Sequence, residues 1–83
     1  LVNVPLTIRG NKLSISLRED TDVDNRVLVS LRSVDDFPCN KMAEQFFNGG
    51  GHRNASGGKL LCSIEEAEKI AQKAILTFAD LLR

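Results

Sequence analysis

A chain of 83 residues, 42% apolar and 27% charged, has the balance of one ordinary globular domain, residues 1–83, with room for a single small core. Eleven Lys and Arg offset eleven Asp and Glu, so a formal net charge of zero excludes a broad electrostatic grip on a nucleic-acid backbone and leaves local recognition of an anion. No apolar run approaches the roughly 18 residues that span a bilayer, and no basic-then-apolar leader opens the chain, which reads as cytoplasmic with no membrane partner.

The first residue is Leu1, not Met, and strand-like residues follow at once, as in a piece cut from a longer protein. Val2 to Ile8 is rich in β-branched residues but contains Pro5, which has no N–H for a ladder, so an extended segment or edge strand is expected. Gly10-Asn11 reads as a turn. Lys12 to Arg18 then alternates, with Leu13, Ile15 and Leu17 on one face and Ser14, Ser16 and Arg18 on the other. The acidic connection from Glu19 to Asn25 leads to a second alternating run, Arg26 to Ser33, and the two runs form a hairpin. That connection is a solvated turn and not a metal site, because carboxylates on a hairpin loop lack fixed geometry. If Val27, Val29 and Leu31 enter the core, the period of two obliges Ser30 and Arg32 to share the opposite face.

Asp35-Asp36-Phe37-Pro38 breaks the extended run, and Asn40 is expected to cap a short helix, Lys41 to Phe47, with Met42, Phe46 and Phe47 turned inward. A glycine loop follows, then a short strand from Lys59 to Cys62. Ser63 and Glu66 make a capping box for a helix that runs to about Leu82. Ile64, Ala67, Ile70, Ala71, Ala74, Ile75, Phe78, Leu81 and Leu82 give it one apolar face. The order implies an α/β domain of α+β type: a mixed sheet of about four strands, packed by a short helix and a long C-terminal amphipathic helix. Cys39 and Cys62 match no zinc spacing and read as free thiols in a reducing compartment.

The residues that can carry chemistry centre on Asn48-Gly49-Gly50-Gly51-His52-Arg53-Asn54-Ala55-Ser56-Gly57-Gly58. Three consecutive glycines lose much backbone entropy on ordering and need a physical reason. One is a sharp turn or close packing of backbone on backbone. The other is a set of N–H groups, unobstructed by any Cβ, converging on an anion as a nest or at the start of a helical turn opening at His52. His52, the one histidine, favours the second, since a nearby phosphate stabilises a protonated imidazole. Asn54 and Ser56 read first as local backbone caps. The loop is no Walker motif, because Gly-Lys-Ser/Thr is absent. Arg32, on the non-core face of its strand beside Ser30, has a planar fork suited to a phosphate or a base edge.

Ser30-Leu31-Arg32-Ser33, a short helix, then Gly49-Gly50-Gly51-His52 and Ala55-Ser56-Gly57 resemble, in that order, the DHH-associated domain (subfamily one) of DHH-family phosphoesterases. The similarity spans nearly the whole chain and looks greatest to the oligoribonuclease and 3′-phosphoadenosine-5′-phosphate phosphatase branch, with cyclic-dinucleotide phosphodiesterases nearby. The resemblance implies a separate N-terminal DHH domain holding two Mn2+ ions and activating water, while this chain, without a cofactor of its own, closes over the substrate. It also implies that Gly49, Gly50, Gly51 and His52, with Ala55 and Ser56, line the phosphate site, and that Arg32 and Ser30 contact substrate from the strand. Many relatives have a fourth glycine where Asn48 stands, and Arg53 falls on a variable position.

One histidine and scattered acids do not build a two-metal centre, and nothing pairs a Cys or Ser with His52 and an orienting acid. The fragment is therefore expected to bind and its parent to catalyse. The substrate would be a short oligonucleotide, a nucleotide phosphate or a cyclic dinucleotide. The rival is a nucleic-acid-binding or structural module without a catalytic parent, although four Phe and no Tyr or Trp provide few stacking platforms.

Overall fold

The computed structural model describes residues 3–8, 10 and 12–82. Strand β1 (Asn3–Ile8) is followed by β2 (Leu13–Glu19) and β3 (Val27–Ser33), then helix α1 (Cys39–Phe46), β4 (Gly50–His52), β5 (Ala55–Leu60) and helix α2 (Ile64–Thr77). A single-turn 3-10 helix, Ala79–Leu82, ends the described chain. Val2, Asn11 and the side chain of Leu82, which the sequence assigned to the first strand, a turn and the last helix, lie outside the described residues.

The sheet order is β1-β2-β3-β5-β4. The α+β class is as expected, but the sheet has five strands instead of about four, and every pairing is antiparallel, so it is not mixed. The extra strand is β4, carved from the glycine run itself. Pro5 sits on the outer strand β1, where a missing N–H is tolerated.

Leu13, Ile15 and Leu17 of β2 and Val27, Val29 and Leu31 of β3 are all buried on one face, as the alternation requires. Both helices cover that face. The buried positions of α2 are Ile64, Ala67, Ala71 and Ala74, and the small alanines let the helix lie close to the strands. Ser63 caps it: its hydroxyl accepts the Glu66 amide at 3.2 Å. The helix ends at Thr77, earlier than expected, where the Phe78 ring packs edge-to-face against Phe37 and Phe46, with centroids 5.9 and 6.2 Å apart.

Helix α1 corrects another expectation. It starts at Cys39 after Pro38 and has no side-chain cap; Asn40 lies inside it, its buried Oδ1 without a partner. The cap comes from elsewhere in the chain, because the Cys39 amide donates to the Arg53 carbonyl at 2.9 Å. At the other end Asn48 takes a left-handed φ of 51°, and the Gly49 amide returns to the Ala43 carbonyl at 3.1 Å. Asn is one of the few side chains that tolerates this conformation, which explains why it can replace glycine there.

Candidate substrate-binding face

In place of a helical turn opening at His52, the structure has a tight hairpin: β4 and β5 join through Arg53 and Asn54, and Ala55 to Gly58 are strand. The strand expected at Lys59 to Cys62 therefore starts earlier, at Ala55, and ends at Leu60. Steric demand accounts for several of the glycines. A Cβ on Gly49 would stand 1.9 Å from the Gly57 carbonyl oxygen, and one on Gly58 would stand 2.1 Å from that of Phe47. Gly51 has φ 144°, and its Cβ would meet the Ala55 carbonyl oxygen at 2.9 Å. Gly50 differs. It has no unusual φ, and its Cβ would meet only the flexible Glu44 side chain, at 3.7 Å.

The register assembles the face away from the helices. Because residues opposite one another in antiparallel strands point the same way, Thr7, Ser14, Arg32, Ala55 and His52 form one transverse row. The next row is Pro5, Ser16, Ser30, Gly57 and Gly50, and the third is Asn3, Arg18, Leu28 and Lys59. Arg32 and His52 are two strands apart, about 10 Å between backbones, with the small Ala55 between them. Both side chains are exposed. Gly51 and Ser56 belong to the alternate row: the Ser56 hydroxyl donates to the His52 carbonyl at 2.7 Å and so braces the hairpin from inside the turn. Of the residues singled out from sequence, the register thus unites Ser30, Arg32, Ala55 and His52, with Gly50 at the end of the Ser30 row, while Gly49, Gly51 and Ser56 shape the backbone behind them.

None of the eleven carboxylates stands in these three rows. Arg18, Arg32, Lys59 and His52 do, so among the described residues the ionisable groups of these rows are basic; Glu44 borders them at Gly50, and Glu19, Asp20 and Asp22 share a hollow of about 240 Å3 with Arg18 and Leu28. Two shallow depressions on this face, about 310 and about 150 Å3, meet at Ser16 and Ser30. A larger hollow of about 440 Å3 lies at the far end, between the acidic turn and the start of α2, and its acidic wall of Glu19, Asp20, Asp24 and Glu65 suits an anion poorly.

The tip bearing His52 is tied to the connection after β3. The Asn54 amide side chain donates to the Ser33 hydroxyl at 2.9 Å, and that hydroxyl donates to the Phe37 carbonyl at 2.7 Å. The Arg53 guanidinium donates to the Asp36 carbonyl at 3.0 Å. Asn54 and Ser33 thereby fix the row of Arg32 and His52 through a part-buried polar pair, a role the sequence did not reveal because their separation of 21 residues is bridged only by tertiary structure.

Ser56 bonds to a backbone carbonyl, and burial, followed by the charge of Glu66, pushes the Cys62 thiol up, away from the thiolate a nucleophile needs. Among the described residues no group of three or more His, Cys, Asp or Glu stands together as a metal site.

Residues 1–80 match the DHHA1 domain family. The chain belongs to that family. DHHA1 domains normally sit with an N-terminal DHH domain in phosphoesterases. A solved structure of an exopolyphosphatase-related protein from Bacteroides fragilis superposes on 90% of the chain with a TM-score of 0.81 and 48% identity, covering 21% of that protein. A 3′,5′-cyclic-nucleotide phosphodiesterase of Helicobacter pylori (strain ATCC 700392 / 26695) is 49% identical over 39 residues, 47% of this DHHA1 chain and 11% of the relative. The chain thus spans about a fifth or less of the length of the proteins it resembles.

Proposed function

We propose that this DHHA1 domain is the substrate-binding half of a manganese-dependent phosphoesterase that hydrolyses short oligoribonucleotides or nucleotide phosphates, in the manner of the oligoribonuclease and 3′-phosphoadenosine-5′-phosphate phosphatase branch. The observation that carries the reading is the row of Arg32, Ala55 and His52, which contains no carboxylate. An arginine and an imidazole flanking a small side chain can close on a phosphate from both sides, the arginine through paired N–H groups. The two metal ions and the attacking water belong to a separate DHH domain in the cytoplasmic parent, across the cleft. A cyclic dinucleotide offers the same phosphate chemistry and is the neighbouring substrate class.

Titration of a 5′-phosphorylated nucleotide followed by NMR tests the assignment. Shifts should concentrate at residues 30–32 and 49–57. His52→Ala and Arg32→Ala should each weaken binding about tenfold or more, the worth of one charge-assisted contact, and leave the melting temperature nearly unchanged. Unaltered affinity in both variants would refute the site.

A further inference from the structure

The third row of the open face has no part in the binding site above. Arg18 and Lys59 stand there on either side of Leu28, both exposed, with the half-buried Leu28 between them. This row lies four positions along β3 from that of Arg32, about 13–14 Å, too far for one phosphate to touch both. Between the rows Ser16 and Ser30 supply hydroxyls to the shallow depression that Arg18 and Leu28 also line, and Gly57 stands beside Ser30 in the register. Immediately beyond Arg18 the chain enters the acidic turn of Glu19, Asp20, Asp22 and Asp24.

We propose that Arg18 and Lys59 form a second phosphate subsite and that the ligand is a short single-stranded oligonucleotide laid across the open face from His52 and Arg32 to this row. The inference rests on the reading that His52 and Arg32 hold the first phosphate, and it adds the direction and the length of the substrate. The sugar and base of the intervening step lie over the serines and Leu28. The acidic turn repels any phosphate carried further, so recognition stops there.

Mono-, di-, tri- and tetranucleotides carrying a 5′-phosphate, titrated calorimetrically onto the chain at low salt, provide the test. Affinity should rise about tenfold from mononucleotide to trinucleotide and level off at the tetranucleotide. In the Arg18→Ser/Lys59→Ser variant the rise should vanish while mononucleotide binding stays within about twofold. The salt dependence of trinucleotide binding should fall by about 0.7 in log–log slope for each cation removed. His52→Ala should weaken every length alike. A trinucleotide no tighter than a mononucleotide, or one indifferent to the double substitution, overturns the second subsite and leaves the first standing; the row would then be a protein contact. If no length binds, the phosphate site at His52 and Arg32 falls, and the second subsite with it.

Discussion

A Cβ built on Gly58 stands 2.1 Å from the Phe47 carbonyl oxygen, whereas one built on Gly50 meets only the Glu44 side chain at 3.7 Å. The first contact is with backbone and cannot be relieved by a rotamer. Gly58→Ala should therefore destabilise the domain by about 2 kcal/mol or more, read from the urea midpoint. Gly50→Ala should leave that midpoint within about 0.5 kcal/mol of wild type, since its methyl meets only a side chain that can move aside. Asp20 provides a residue-level check on pH. The Asp22 amide and then the Arg26 guanidinium, with which it also forms an ion pair, hold its carboxyl below its ordinary value of 3.8. A depressed folded value contributes stability that is present above the ordinary pKa and is lost as pH falls through the lower, folded one. Asp20→Asn should accordingly be less stable than wild type near neutral pH, and the two should converge in strong acid when denaturant midpoints are compared across the titration.

At the scale of elements, the β4–β5 hairpin draws its placement from contacts outside itself. Asn54 reaches Ser33, Arg53 reaches Asp36, and the Arg53 carbonyl caps α1 through Cys39. Asn54→Ala removes a donor from a part-buried network and should lower stability by about 1–2 kcal/mol. It should also reduce nucleotide affinity without touching the ligand, because the His52 tip is then held less firmly against Arg32; broadening of the His52 and Ala55 amide signals would report the loosened tip. The strands β2 and β3 and the start of α2 were legible in the sequence because alternation and a capping box are local signals. The hairpin was not. Its glycines carry no hydrophobic period, and their use in close backbone packing appears only once α1 and β5 are brought together.

For the molecule as a whole, 83 residues imply a total stability of roughly 4–12 kcal/mol, so few core contacts can be spared. Phe37 is 1% exposed and joins the connection after β3 to the end of α2. Phe37→Ala should remove about 3–5 kcal/mol and leave a thermal transition that is much lowered or lost by circular dichroism. The same economy shows in the charges. Zero net charge concealed that the rows of the open face hold Arg18, Arg32 and Lys59 and no carboxylate, because that grouping depends on which strands are neighbours. The sequence by itself determined the core faces of β2 and β3, the outward turn of Ser30 and Arg32, the α2 cap and the family motif around His52, all governed by spacings of a few residues. Only the tertiary structure decided that β5 lies between β3 and β4. That order places His52 in the row of Arg32 and Lys59 in the row of Arg18, because cross-strand pairing over some 20–40 residues follows from packing and not from local pattern.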